Sequence, residues 1–233
     1  MNINENNIVI ATIKSWNIEN AKRLISALPN YNIKLITDKD DLTYDNICQI
    51  NPRYIFFPHW SWIIPAEIFD NFECVVFHMT DLPFGRGGSP LQNLIERGFE
   101  KTKISAIRVV NELDAGPVYF KHDLDLDGTA TEIFVRGSEI VFDKMIPEIL
   151  EDYPEPTPQQ GEPLSFKRRT PAQSDISNLE STDRVYDYIR MLDGEGYPNA
   201  FIETGNLHIK FTKARKNDGF ILAEAKIRII DAE

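Results

Sequence analysis

Cys74-Val75-Val76-Phe77-His78-Met79-Thr80-Asp81-Leu82-Pro83-Phe84-Gly85-Arg86-Gly87-Gly88-Ser89-Pro90 changes character twice along its length. Cys74 to Phe77 are a short apolar run and read as a buried strand ending directly at His78. A turn shaped by Pro83, Gly85, Gly87 and Gly88 follows. Ser89-Pro90 then opens a helix over 89–98, serine at the N-cap and proline at the first helical position. A strand, a glycine-rich turn and a helix in that order form the repeating unit of an α/β fold.

The same alternation runs outward in both directions. Ile8-Val9-Ile10-Ala11-Thr12-Ile13, Ile33-Lys34-Leu35-Ile36 and Tyr54-Ile55-Phe56-Phe57 are three more buried strands. Asn17 caps a helix that carries Ala21, Leu24, Ile25 and Leu28 on one face. Strands near 104–110 and 117–124 precede a helix from about 130 to 150. The pattern predicts an α/β fold with a Rossmann-like, mostly parallel sheet, which binds ligands at the carboxyl ends of its strands. Pro154, Pro156, Pro158, Pro163 and Pro171, with Gln159-Gln160-Gly161 among them, mark a linker. A helix over 180–192 and the alternating runs Ala200-Phe201-Ile202, Leu207-His208-Ile209-Lys210-Phe211 and Gly219-Phe220-Ile221-Leu222 predict a small antiparallel unit. The expected domains are a catalytic domain over 1–151, a linker over 152–178 and a small C-terminal β domain over 179–233.

Bulk properties narrow the function. A net charge of -11 over 233 residues speaks against a nucleic-acid partner, which calls for a basic face. Cys48 and Cys74 are the two cysteines and form no CxxC pair, so neither a disulfide framework nor a metal site is expected. Met1-Asn2-Ile3-Asn4-Glu5-Asn6-Asn7 lacks the charged-then-apolar order of a leader. No run approaches the ~20 apolar residues of a membrane span, and a cytoplasmic protein is expected. The first strand ends without GxGxxG, and Gly85-Arg86-Gly87-Gly88 has no GKS or GKT end, so no dinucleotide or P-loop chemistry is indicated.

His78 has a counterpart in Leu113-Asp114-Ala115-Gly116-Pro117, a second turn shaped by glycine and proline. An imidazole titrates near neutrality, and a carboxylate beside it fixes its tautomer and stabilises the imidazolium, so the two form an acid–base pair if the fold brings them together. Lys14, Ser15 and Trp16 lie between the first strand and its helix, at the same sheet edge as His78. They offer a cation, a hydroxyl and an aromatic face to an anionic or stacking substrate.

These two turns together resemble the signature of the folate-dependent formyltransferase family, most closely that of the sugar-nucleotide N-formyltransferases. Gln92, Phe166-Lys167-Arg168-Arg169-Thr170-Pro171, Tyr188-Ile189-Arg190 and Gly196-Tyr197-Pro198-Asn199-Ala200-Phe201 extend the likeness over roughly residues 54–202. The resemblance implies that 10-formyltetrahydrofolate donates a formyl group to an amine, with no metal. His78 would be the acid/base and Asp114 its partner. Ser61, Trp62 and Ile63, in Phe57-Pro58-His59-Trp60-Ser61-Trp62-Ile63-Ile64-Pro65, would contact the pterin together with Asn111 and Asp114. Apart from the resemblance, Lys14, Ser15 and Trp16 at the sheet edge, Arg86 in the glycine turn, and His59, which has no family counterpart, are the residues expected to face the substrate. Val76 stands where the family carries an asparagine that helps hold the oxyanion. Asn93, Asn111, Thr80, a backbone N–H and protonated His78 are the alternatives, Asn93 being the candidate side-chain donor.

With its acidic chain and short appendage, the protein is expected to act on a small-molecule nucleotide-linked amino sugar, on a route to a surface polysaccharide. Methionyl-tRNA, another primary amine, and water (a formyltetrahydrofolate hydrolase) are the rival acceptors. Family members are often dimers, so a homodimer stays open, and no segment identifies an interface.

Overall fold

The computed structural model describes residues 4–230. Met1–Ile3, from the polar N-terminal run, and residues 231–233, the end of the expected C-terminal domain, lie outside the described residues. The chain divides into two compact units, each assembled from separate stretches: Met1–Arg86 with Lys103–Leu124 and Val135–Ser165, and Gly87–Thr102 with Asp125–Phe134 and Phe166–Glu233.

The first unit is built on β1 (Asn4–Ala11), β2 (Asn32–Ile36), β3 (Pro52–Phe57), β4 (Glu73–His78), β6 (Lys101–Arg108) and β7 (Val118–Asp125), after β5 (Phe84–Gly87) is set aside. The six form one sheet in the order β2-β1-β3-β4-β6-β7. β1 runs parallel to β2 and β3, β3 parallel to β4, and β4 antiparallel to β6. Ile8, Val9, Ile10 and Ala11 are all fully buried because helices cover both faces of such a sheet. Val9 and Ala11 join Ile36, Ile47, Ile55, Phe57, Ile68 and Cys74 in one apolar cluster. Burial of each larger aliphatic side chain there contributes roughly 1.5–3 kcal/mol.

Two helix starts differ from expectation, for the same reason. α1 (Ser15–Ala27) begins after Lys14, not at Asn17. Asn17 is buried in the first turn, and its Nδ2 donates to the Pro58 carbonyl at 3.3 Å, which also accepts from Thr12 Oγ1 at 2.6 Å. A tertiary acceptor has drawn the amide away from its local capping role. Likewise α4 (Pro90–Glu96) has Ser89 before it at φ 51, making no cap bond; the hydroxyl accepts from the Arg169 N–H at 3.1 Å instead.

Two short helices, α2 (Tyr44–Ile50) and α3 (Ala66–Phe69), have no counterpart in the sequence reading. The long helix after β7 is three pieces, α5 (Ala130–Ile140), a π-helical turn over Val141–Met145, and α6 (Ile146–Asp152). Pro147 lacks an N–H and crowds the carbonyl four residues earlier, which accounts for the break in register.

The proline-rich stretch is more ordered than its composition suggests. Thr157 exchanges backbone bonds of 2.7 and 2.8 Å with Val118, and β8 (Leu164–Phe166) pairs with β5 in a two-stranded ribbon. In the second unit, α7 (Thr182–Leu192) is capped by Ser181, whose hydroxyl accepts from the Arg184 N–H. It belongs with an antiparallel sheet of β9 (Ala200–Thr204), β10 (Leu207–Asn217) and β11 (Phe220–Ile229), ordered β11-β10-β9. Gln92 of α4 donates to the Met191 carbonyl at 3.1 Å, and Glu96 accepts from Tyr188 at 2.5 Å and pairs with Arg169.

Candidate active site

The site begins where β4 stops. His78 is the last residue of that strand and is 8% exposed. Its Nε2 lies 2.7 Å from the Gly85 carbonyl, across the turn that follows. A carbonyl only accepts, so the geometry assigns a hydrogen to Nε2. Gly85 turns that carbonyl back with φ at 80°, a backbone state open to glycine. The turn is braced from β6: Ser105 Oγ donates to the Thr80 carbonyl at 2.7 Å and accepts from the Leu82 N–H at 3.4 Å. Thr80 Oγ1 itself points to the Gly85 carbonyl at 3.4 Å.

Asp114 reaches the other ring nitrogen. Its Oδ2 lies 3.5 Å from His78 Nδ1, within ion-pair range and longer than a hydrogen bond. Nδ1 carries a second hydrogen only in the imidazolium, so the neutral ring presents a lone pair there. Asp114 then stabilises the charge once that nitrogen is protonated. Asp114 is held in the left-handed region at φ 52, which aspartate tolerates better than most residues. Two positions later Gly116 passes so near β6 that a Cβ would lie 1.8 Å from the Arg108 carbonyl.

Gln159 is the residue the sequence reading missed. Its Nε2 donates to the Asp114 and Gly116 carbonyls at 2.8 and 2.9 Å. Its Oε1 accepts from Arg86 Nε and Nη2 at 3.1 and 2.8 Å. One amide thus ties the turn that holds His78 to the loop that holds Asp114. Within the sequence Gln159 was only one of the polar marks of a linker. Arg86 also meets Glu112 at 3.1 Å, so its guanidinium is oriented by protein groups.

The remaining expected residues fall into three sets. Lys14, Trp16 and His59 meet: the Trp16 and His59 rings are 6.0 Å apart edge to face, and Lys14 Nζ is 5.8 Å from the Trp16 ring. His59 stands at φ 53, and burial pushes its imidazole down to about 4, the Lys14 charge adding to the effect. Ser15 beside them is exposed. Ser61, Trp62 and Ile63 form an exposed loop in which Ile63 is 94% exposed, and Leu113 beside exposed Asn111 is 71% exposed. Trp60 packs edge to face on Trp62 at 4.9 Å, and its buried Nε1–H has no hydrogen-bond partner.

Asn93 belongs to the second unit. Its Nδ2 lies 3.0–3.1 Å from the carbonyls of Gly88, Ser89 and Lys167, which commits the amide to the glycine turn. Thr80 likewise spends its hydroxyl on Gly85. Val76 is half-buried among apolar neighbours in β4. Burial pushes the Cys74 thiol up, in keeping with a buried packing residue. Among the described residues no group of three or more His, Cys, Asp or Glu is arranged to hold a metal ion, and no helix is long and apolar enough to cross a membrane.

Residues 171–230 match the family model for the methionyl-tRNA formyltransferase C-terminal domain. A solved methionyl-tRNA formyltransferase from Clostridium thermocellum is 58% identical, with a TM-score of 0.94, over 95% of this chain and 98% of that one. The chain belongs to the methionyl-tRNA formyltransferase family. A curated member from Bacillus cytotoxicus is 28% identical over 68% of this chain and 52% of its own length, so the chain spans about half the length of the curated relatives it matches. HypX from Aquifex aeolicus, solved in complex with tetrahydrofolic acid, shares the fold at 18% identity and TM-score 0.74, covering 89% of this chain and 37% of that one.

Family membership corrects two expectations. A nucleotide-linked amino sugar, and with it a polysaccharide route, is overturned by the 58% identical relative and by the curated names; a solved sugar N-formyltransferase from Shewanella matches at 13% identity and shows the fold alone. The exclusion of a nucleic-acid partner falls for the same reason. Charge is unevenly spread along the chain, so its sum excludes no local basic face. Residues 1–165 hold 14 Lys and Arg against 25 Asp and Glu, whereas residues 166–230 hold 11 against 9. Lys210, Lys213, Arg215, Lys216, Lys226 and Arg228 crowd into β10 and β11. A polyanion responds to local charge within a Debye length of about 8–10 Å, not to the sum over the chain.

Proposed function

We propose that this chain transfers the formyl group of 10-formyltetrahydrofolate to the amine of methionyl-tRNA. The observation that carries the reading is the 58% identity to a methionyl-tRNA formyltransferase over nearly the full length of both chains. The donor supplies an activated formyl carbon. The amine attacks that carbon, loses a proton, and the folate nitrogen leaves with one. His78 Nδ1 accepts the amine proton, Asp114 stabilises the resulting imidazolium, and the ring returns the proton to the leaving nitrogen. The Gly85 carbonyl holds the ring by its Nε2 hydrogen throughout. Trp62, Ile63, Asn111 and Leu113, already exposed on their loops, would be covered by the pterin, with Ser61 at the rim. Lys14, Ser15, Trp16 and His59 would flank the acceptor. Its tRNA body would meet the Lys- and Arg-rich strands of the C-terminal unit. A tRNA acceptor would place the reaction in the cytoplasm.

The test is incubation with 10-formyltetrahydrofolate and methionyl-tRNA, reading tetrahydrofolate release and the mass of the amino acid freed from the tRNA. A gain of one formyl group on methionine is the expected result. Tetrahydrofolate released without formylated methionine would replace this reading with hydrolysis.

A further inference from the structure

Arg86 stands in the glycine turn after His78, where a cation can serve either a ligand or the protein itself. The structure turns it inward. Its side chain is 16% exposed, and its donors are committed on two sides. Nε and Nη2 donate to Gln159 Oε1 at 3.1 and 2.8 Å, and Nη1 donates to Glu112 Oε1 at 3.1 Å. Glu112 is 76% exposed, so solvent screens that pair and it adds little. The contact with Gln159 is the firm one. A guanidinium only donates and a carbonyl only accepts, which leaves the amide one orientation. Its oxygen faces Arg86, and its nitrogen faces the backbone carbonyls of Asp114 and Gly116. Turned over, it would set N–H against guanidinium and oxygen against two carbonyls. All of these residues belong to the first unit.

The amide holds a stretch that needs holding. Asp114 stands at φ 52, and Gly116 passes close against the Arg108 carbonyl, so the loop keeps this shape only where its surroundings fix it. Asn111, Glu112 and Leu113, just before Asp114, are exposed. The carbonyl of the residue whose carboxylate faces His78 is thus anchored by Gln159, and Gln159 by Arg86. We propose that Arg86 is a positioning residue: by fixing the Gln159 amide it keeps the Asp114 carboxylate beside His78 Nδ1, and it does not bind the acceptor. This role rests on the acid–base reading of His78 and Asp114. It belongs to the planar fork and not to the charge, because a lysine ammonium does not present two coplanar donors to one oxygen.

The experiment measures kcat and both KM values for formyl transfer, and the amide hydrogen exchange of residues 109–117 by mass spectrometry, with folding checked by circular dichroism. Arg86→Met is expected to lower kcat about tenfold, leave the acceptor KM unchanged and speed exchange in 109–117. Arg86→Lys should recover only part of the loss. Gln159→Glu separates positioning from packing. It gives Arg86 a stronger, charged partner, removes both N–H donors to the loop and sets a carboxylate against two carbonyls. Its kcat is expected to fall about 10–100-fold in a folded chain. Arg86→Met combined with Gln159→Leu should cost no more than Gln159→Leu alone, since both cut one path. A raised acceptor KM at unchanged kcat in Arg86→Met, wild-type kcat in Gln159→Glu, or losses that multiply in the double variant would each overturn the proposal. A wild type that transfers no formyl group would end the formyl-transfer reading instead. Exchange then decides the tie alone: faster exchange of 109–117 in Gln159→Glu upholds it, and unchanged exchange overturns it.

Discussion

The loops around His78 and the sheet containing β11 use opposite means. Around His78 nearly every polar group is tied to another part of the first unit. Gly85 accepts from the ring, Ser105 braces the turn, and Gln159 joins Arg86 to the Asp114 loop. The sheet behind them is buried on both faces. In the C-terminal unit β11 leaves isoleucines in water and the basic residues of β10 and β11 near the surface. The first arrangement holds a few atoms within fractions of an ångström, as proton transfer requires. The second leaves apolar and basic side chains in solvent. The difference teaches that a tightly tied site and an open, exposed sheet are assigned to different stretches of one short chain.

Four measurements would sharpen that contrast or break it. His78→Asn keeps size and a donor for Gly85 but removes the proton carrier, and kcat for formyl transfer should drop about 10²–10⁴-fold. Activity within a few-fold of wild type would end the assignment. Gln159→Leu keeps the volume and cuts the tie between turn and loop. A loss of about 10–100-fold in kcat is expected, with KM for the folate donor little changed. If only KM moved, Gln159 would be shaping the binding surface instead of the acid–base pair.

In the other unit, Lys210→Ala should leave kcat and donor KM alone and raise KM for tRNA. The slope of its logarithm against log salt should fall by about 0.7–0.9 for a lost phosphate contact. An unchanged salt slope would separate β10 from the acceptor. The smallest effect concerns His59. Its folded pKa, about 4, lies below the ordinary value of 6.5, so the unfolded chain binds the extra proton between those two values. Stability should therefore decline as pH falls from 6.5 toward 4, and His59→Phe should flatten that part of the denaturation-versus-pH curve. An identical curve would mean that His59 is better solvated than its packing indicates.

The strand end at His78 and the turn at Asp114 were legible because they lie on local signals. A β-branched run stopping at a histidine, and an aspartate two residues before a glycine, announce strand end and turn without tertiary help. Asn17 and Ser89 were misread for one shared reason. Each has a polar side chain suited to a local cap, and each found its partner elsewhere, in Pro58 and Arg169 respectively. Gln159 was invisible on the same grounds, since its three partners, Arg86, Asp114 and Gly116, lie 43 to 73 positions away. A net charge of -11 averages an acidic stretch with a basic one, so it could not exclude a local basic face.

The sequence by itself determined the alternation of strands and helices and the mostly parallel sheet, because hydrophobic period and Gly/Pro placement act over a few residues. His78 and Asp114 were singled out by the resemblance of their two turns to a family signature. Only the tertiary structure decided which atoms face one another. It assigned the Nε2 hydrogen of His78 to Gly85, left Nδ1 toward Asp114 and drew Gln159 between the two loops. Hydrogen bonds are short-ranged and directional, so their partners are chosen by where the folded backbone brings donor and acceptor, and no spacing along the chain encodes that distance.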